Sequence, residues 1–81
     1  MSWYVYILQC ADHTFYTGVT DNLAARLFAH NYLPEGAKYT KTRRPVRLLY
    51  SEKCTNRSDA QMREYEIKKL SRTEKVALLN K

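Results

Sequence analysis

Two short tyrosine-bearing segments near the start of the chain constrain its fold most strongly. The first, Trp3–Gln9, is a continuous run of aromatic, branched and other apolar residues, which predicts a buried β-strand. The second, Phe15–Thr20, alternates in polarity with a period of two, and a short polar turn at residues 11–14 precedes it. The economical interpretation is a β-hairpin.

The length of the hairpin loop decides on which face of the sheet Tyr6 and Tyr16 lie. Opposed residues of paired strands point to the same face, and a slip of one residue reverses the face. A two-residue loop at Asp12 and His13 would pair Gln9 with Tyr16 and place the tyrosines on opposite faces. We expect an odd loop with a left-handed residue near His13, because the Asn-Gly or Asp-Gly signal of two-residue loops is missing. An odd loop places both tyrosines on one face.

A helix is predicted directly after the hairpin. Asp21 or Asn22 can cap a helix over Leu23–Tyr32. Arg26 and His30 are four residues apart and therefore share one face of this helix. Beside them runs an inward apolar stripe, predicted to consist of Leu23, Leu27 and Phe28.

The remaining chain predicts one more strand and two more helices. Residues 37–44 predict a surface loop with a short helical turn, and residues 46–53 predict a third strand with Val46, Leu48 and Tyr50 on one face. Capping boxes at residues 58–61 and 71–74 open helices that extend to about residue 70 and through residue 79. The predicted fold class is α/β (α+β), a small three-stranded, mostly antiparallel sheet flanked by helices in the order ββαβαα. Residues 1–81 form a single domain in this prediction.

The charge of the chain favours a polyanionic partner. It has 14 Lys+Arg against 8 Asp+Glu, a net charge of +6, and nucleic acid is the commonest partner of such a surface. Residues 37–50 contain five cations and no acid. Phosphate-binding surfaces mix cations, hydroxyls and aromatic rings. The candidate nucleic-acid contacts are therefore Lys38, Tyr39, Thr40, Lys41, Arg43 and Arg44; the alternative is a solvated loop.

Several other classes of protein are excluded by composition. Cys10 and Cys54 are too few for a disulfide scaffold and lack the spacing of zinc ligands. No apolar run approaches the roughly 20 residues that a membrane span needs. The N-terminus lacks the charged and apolar regions of a signal peptide. We therefore expect a cytoplasmic protein with no membrane segment.

Five sequence motifs follow one another in order along nearly the whole chain. They are YVYIL at residues 4–8, YTG at 16–18, RLFAHN at 26–31, GAKYT at 36–40 and EYEIKKLSR at 64–72. This ordered set resembles the GIY-YIG nuclease superfamily, most closely its small stand-alone bacterial members. Two positions depart from the motif that names the family, since Tyr4 stands in place of glycine and Thr17 in place of isoleucine. The tyrosines Tyr6 and Tyr16 are retained.

The resemblance implies a site that cleaves phosphodiesters with one divalent metal ion, Mg²⁺ or Mn²⁺. It assigns the two motif tyrosines to Tyr6 and Tyr16, the helix arginine to Arg26 and the metal-binding glutamate to Glu64. One carboxylate with waters suffices for Mg²⁺, and an arginine can hold the charge that develops on phosphorus. A tyrosine hydroxyl can position or deprotonate water. Because its ordinary pKa is near 10, it needs a nearby cation to act as a base at neutral pH.

Two assignments stay open at the level of the residues. Glu66 suits the edge of a buried helix face as well as Glu64 does, and only the resemblance favours Glu64. His30 shares a helix face with Arg26, which admits a helper base, a phosphate ligand, or a capping or packing role. We include it among the candidate catalytic residues.

The function implied is a metal-dependent endonuclease domain that hydrolyses DNA, with a role in DNA repair or in processing branched or damaged DNA. One alternative is a nucleic-acid-binding module with the nuclease fold and weak or no cleavage. Another is a protein-interaction domain whose basic loop docks an acidic partner. With 81 residues the chain has no room for the separate recognition domain of many family members, so we expect either loose substrate choice or a protein partner that supplies specificity.

Overall fold

The predicted hairpin lies at the centre of the fold in the computed structural model, which describes residues 2–80. Its strands, β1 (Trp3–Gln9) and β2 (Phe15–Thr20), are antiparallel. A third strand, β3 (Arg47–Cys54), pairs antiparallel with the other side of β1. The strand order is β2-β1-β3, so the continuously apolar strand lies at the centre of the sheet and is paired along both edges.

The hairpin has the odd loop that the sequence predicts. Gln9 pairs with Phe15, which leaves the five residues 10–14 in the loop. His13 has a φ of 67°, in the left-handed region, and is the residue expected there. Because Tyr16 pairs with Leu8, and Leu8 is two residues after Tyr6, the two tyrosines share a face. The prediction of a common face is confirmed.

Four helices complete the described chain, in the order ββααβαα. The first, α1 (Leu23–Tyr32), has the predicted bounds, and Asn22 is its cap because its side chain accepts from the Ala25 N–H at 3.0 Å. The predicted helical turn is a four-residue helix, α2 (Lys38–Lys41). Among residues 2–80, every helix is too short or too polar to cross a lipid bilayer.

The two C-terminal helices differ in how well their starts are predicted. The capping box at Ser71 and Glu74 opens α4 (Arg72–Leu79) as expected. The predicted box at residues 58–61 is wrong, because α3 (Arg57–Lys68) is capped by Asn56, two residues before Ser58. The Asn56 side chain accepts from the Asp59 N–H at 2.8 Å, so Asn56 provides the hydrogen-bond acceptor that an N–H group of the first helical turn needs.

A β-bulge in β3 overturns the prediction that Leu48 and Tyr50 lie on one face. Ile7 pairs with Tyr50 whereas Leu8 pairs with Leu48, so Leu49 is an extra residue without a partner in β1. The inserted residue reverses the faces beyond it. Leu48 therefore lies on the face of Tyr6, and Tyr50 lies on the opposite face.

Each face of the sheet has its own core. On the first, here called the α1 face, the leucines of α1 cover a cluster made of Tyr6, Leu8, Cys10 and Val46. On the second, the α3 face, α3 and α4 complete a cluster made of Val5, Ile7, Ile67 and Leu78. Phe28, predicted to point inward, is 53% exposed, because the inward side of α1 is completed by the buried His30 instead.

Candidate active site

Tyr6 is the buried centre of the candidate site. Its side chain is only 2% exposed, and its hydroxyl lies 2.9 Å from Nε2 of His30. The ring crosses over Gly18 of β2, where an added Cβ would come within 2.4 Å of the Tyr6 hydroxyl oxygen. The glycine of the YTG motif is therefore needed for close approach, and it lets the hydroxyl reach the edge strand of the sheet.

His30 connects Tyr6 to the segment that follows α1. It is fully buried, and its Nδ1 lies 3.0 Å from the hydroxyl of Thr40. The Tyr16 ring packs edge-on against the imidazole, with 5.1 Å between ring centroids. Burial lowers the pKa of His30 to about 4, and the nearby Arg26 and Arg44 add to that effect. His30 is therefore a neutral imidazole at neutral pH.

Arg26 approaches Tyr6 from α1. Its guanidinium opposes the rise in the pKa of the Tyr6 hydroxyl, and its Nη1 donates to the carbonyl of Glu35 at 3.3 Å. Arg44 has a different role, because its guanidinium donates to the carbonyls of His30 (2.6 Å) and Leu33 (2.7 Å) at the end of α1. One arginine is thus directed at the site and the other closes the helix that carries it.

Glu64 approaches from α3. Its carboxylate pairs with Lys68 at 3.2 Å and lies near enough to Tyr6 to influence that hydroxyl. The pKa of Tyr6 is raised to about 12 chiefly by burial, with further increases from Tyr16 and Glu64 and an opposing effect of Arg26. The other three residues that the resemblance assigns to the site therefore all influence the hydroxyl of Tyr6.

The oxygen donors near Tyr6 fit a hard divalent cation that keeps most of its water. Within residues 2–80, no three His, Cys, Asp or Glu side chains cluster as a protein cage for a metal. Glu64 supplies one carboxylate instead, and Mg²⁺ is commonly held by one or two carboxylates, several waters and a substrate phosphate. The donor set suits such an ion and does not suit a structural zinc.

An ion-pair network on the α3 face holds the helix that carries Glu64. Arg63 donates to the Glu52 carboxylate of β3 through Nε (3.0 Å) and Nη2 (2.9 Å), and the Tyr50 hydroxyl donates to the same carboxylate. This pairing raises the pKa of Arg63. The sequence does not predict this network, since nothing in the residue spacing links β3 to α3.

A second missed contact ties α1 to β3. The Asn31 amide donates to the carbonyl of Val46 at 3.0 Å and accepts from the Val46 N–H at 2.7 Å. Asn31 is the last residue of the RLFAHN motif, and its place in that motif is the only feature of the sequence that points to it. This pair of bonds fixes the helix next to His30 at the start of the third strand.

The predicted nucleic-acid contacts of residues 38–44 do not form one uniform surface. Thr40 is fully buried against His30, so its predicted contact with a polyanion is wrong. Tyr39 is stacked on Tyr16 and covered by the guanidinium of Arg43, which also pairs with Asp12 at 3.0 Å. The side chains of Lys38 and Lys41 and part of the Tyr39 side chain, which is 38% exposed, remain open to solvent.

Comparisons with known proteins match nearly the whole chain. The profile of the GIY-YIG catalytic domain matches residues 2–77. A UPF0213 protein of Desulfotalea psychrophila is 55% identical over 78 residues, which are 96% of this chain and 71% of that protein. A UPF0213 protein of Staphylococcus haemolyticus is 53% identical over 76 residues, which are 94% of this chain and 92% of that protein.

Solved structures agree as well. The solution structure of a UPF0213 protein of Bacillus halodurans is 41% identical, with a TM-score of 0.63 over 99% of this chain and 84% of that one. A solution structure from E. faecalis matches at 41% identity with a TM-score of 0.67 and the same coverage. Because the profile spans nearly the whole chain and UPF0213 proteins more than half identical to it match over the same length, the chain belongs to the GIY-YIG family of nuclease domains.

Proposed function

We propose that this domain is a Mg²⁺- or Mn²⁺-dependent endonuclease that hydrolyses phosphodiester bonds of DNA. One observation carries the proposal: the buried Tyr6 hydroxyl lies 2.9 Å from Nε2 of His30, and the charges of Arg26 and Glu64 both act on that hydroxyl. A base, a cation for phosphate and a metal-binding carboxylate are the groups that phosphodiester hydrolysis needs. A role in repair or branched-DNA processing, a cytoplasmic location and a specificity-giving partner stay predictions.

In the proposed reaction, Tyr6 and His30 act together as the base. With its pKa raised to about 12, Tyr6 keeps its proton at neutral pH and cannot act alone as a phenolate. The attacking water gives its proton to the Tyr6 oxygen as Tyr6 passes its own proton to Nε2 of His30. The water oxygen bonds to phosphorus, the bond to the leaving oxygen breaks, and solvent protonates that oxygen. The negative phosphate nearby favours the imidazolium that forms.

Arg26 and Glu64 hold the substrate in this proposal. The Arg26 guanidinium lies beside the Tyr6 oxygen and would pair with phosphate oxygens, whose charge rises in the transition state. Glu64 would hold the metal ion, which supplies Lewis-acid stabilisation of the phosphate when bound. The exposed Lys38 and Lys41 would bind the flanking backbone. Tyr16 orients the imidazole by packing against it.

A nucleic-acid-binding module without cleavage is the second candidate. The ion pair between Glu64 and Lys68 favours it, because an already neutralised carboxylate attracts a cation less strongly. Such a module would keep salt-sensitive DNA binding through its basic surface. It would not depend on Mg²⁺.

The proposal is tested by nuclease assays on duplex, single-stranded and branched DNA with and without Mg²⁺, using Glu64→Gln and Glu66→Gln. Glu66 is the matched control because it lies on the same helix and its 63% exposed side chain pairs with Arg63 rather than facing Tyr6. We expect metal-dependent cleavage that falls by about 100-fold or more in Glu64→Gln, since the metal stabilises the transition state by several kcal/mol. Glu66→Gln should stay within about threefold of the native rate.

Two results would contradict the endonuclease proposal. Equal cleavage by Glu64→Gln and the native protein would remove Glu64 from the metal site. If no substrate is cut while salt-sensitive DNA binding persists, the binding module is the better description.

A further inference from the structure

Thr40 is a buried polar residue to which the proposed reaction assigns no role. It is fully buried in the short helix α2, where its hydroxyl lies 3.0 Å from Nδ1 of His30 and 2.9 Å from the carbonyl oxygen of Ala37. Its hydroxyl is therefore the third member of a chain of hydrogen bonds that begins at Tyr6. The chain runs from Tyr6 through His30 and Thr40 to Ala37.

The Ala37 end of this chain fixes the direction of the protons in it. The carbonyl of Ala37 can only accept, so the single proton of the Thr40 hydroxyl goes to it. Thr40 is then left to accept from His30, which requires a proton on Nδ1 and a free lone pair on Nε2. The Tyr6 hydroxyl therefore donates its own proton to Nε2.

We propose that Thr40 is a positioning residue that holds His30 in the Nδ1–H tautomer, so that Nε2 faces Tyr6 as an acceptor. A neutral imidazole carries its proton on one nitrogen, and the bond made by the other nitrogen selects which one. Without the Thr40 acceptor, Nε2 could carry the proton and donate to Tyr6 instead. The catalytic consequence of this arrangement rests on the proposed nuclease function, whereas the tautomer itself does not.

Gly36 explains how Thr40 comes within reach of the imidazole. A Cβ at Gly36 would lie 2.6 Å from the carbonyl oxygen of Ala29 and 3.0 Å from the Cα of His30. The backbone before α2 therefore packs directly on α1 next to His30. This close approach brings Thr40, four residues later, against the ring.

The test compares Thr40→Val, which keeps the shape and removes the hydroxyl, with Thr40→Ser, which keeps the hydroxyl. Ring ¹⁵N NMR of His30 should report a protonated Nδ1 in the native protein and in Thr40→Ser. In Thr40→Val we expect the proton to move to Nε2. The turnover number on DNA should fall by about 10- to 100-fold in Thr40→Val, with DNA affinity unchanged, and recover in Thr40→Ser.

The outcomes are separable. A native protein whose His30 carries its proton on Nε2 would overturn the inference without any variant, even if Thr40→Val fails to fold. A Thr40→Val protein that keeps the Nδ1 proton and full turnover would overturn it as well. If the native protein cuts no DNA while its Nδ1 is protonated and Thr40→Val shifts the proton, the nuclease proposal fails and the role of Thr40 stands.

Discussion

Two tyrosine networks lie on opposite faces of the same sheet and differ in charge and solvent exposure. On the α1 face, the Tyr6 hydroxyl lies 2.9 Å from Nε2 of the neutral, fully buried His30. On the α3 face, Tyr50 donates to the carboxylate of Glu52, which Arg63 also contacts, and both ionic side chains are partly exposed. Burial raises the pKa of both tyrosines, so a raised pKa does not by itself mark a functional tyrosine.

The partner of each tyrosine determines what its network can do. A neutral imidazole can take a proton from Tyr6, whereas the carboxylate of Glu52 already pairs with the Arg63 guanidinium and serves to join β3 to α3. The α1 network is therefore suited to proton movement and the α3 network to fixing a helix. Glu64 depends on both, because its helix is held on the α3 face while its carboxylate influences Tyr6.

The largest expected difference between the networks is in their response to acid. The pKa of His30 is lowered from 6.5 to about 4, so below pH 6.5 the unfolded chain binds a proton that the folded protein does not. The free energy of unfolding should therefore be highest above pH 6.5 and fall as the pH approaches 4, by about 3 kcal/mol in total and about 2 kcal/mol by pH 5. Urea unfolding at pH 7.5 and pH 5 measures this loss.

Two variants isolate the histidine responsible. His30→Gln should flatten the profile between pH 5 and 7.5, while His13→Asn should leave it intact, because His13 is an exposed left-handed residue and asparagine tolerates that conformation. The lowered pKa values of Asp12 and Glu74 also cost stability in acid, but below their ordinary values of 3.8 and 4.5 and hence outside this window. A native profile that is flat from pH 7.5 to 5 would contradict the assignment.

A matched pair of substitutions compares the two hydroxyls directly. Tyr6→Phe leaves a buried acceptor on His30 unpaired and should lower the free energy of unfolding by about 1–3 kcal/mol. Tyr50→Phe should cost only about 0.5–1 kcal/mol, because Glu52 keeps its bonds to Arg63. Denaturant unfolding measures both, and DNA cleavage should be lost only in Tyr6→Phe. Equal losses of stability would show that burial does not distinguish the networks.

Local sequence signals predict the parts of this comparison that depend on neighbouring residues. The hairpin face follows from the missing turn signal and a left-handed His13, and the bounds of α1 follow from a cap and a stripe. Contacts between distant segments were not predictable in this way. The bulge at Leu49 depends on how β3 pairs with β1, and that one residue moves Tyr50 away from the face of Tyr6.

The residues of the candidate site differ in the same way in how well the sequence predicts them. The resemblance supplied Tyr6, Tyr16, Arg26 and Glu64, and no helical spacing could have chosen Glu64 over Glu66. Thr40 was misassigned because a threonine among lysines suggests an exposed loop. Its burial depends on the close approach of Gly36 to α1, a contact that composition does not encode.

The smallest expected effect concerns the ion pair between Glu64 and Lys68. Lys68 is 54% exposed, so Lys68→Met should lower the free energy of unfolding by no more than about 0.5 kcal/mol. Removing this cation frees the carboxylate and should tighten Mn²⁺ binding about threefold, as measured by titration calorimetry or electron paramagnetic resonance without DNA. The control is Lys69→Met, which removes the same charge from beside the ring of Tyr65. If both variants tighten Mn²⁺ binding equally, net charge accounts for the change and Lys68 does not compete with the metal for Glu64.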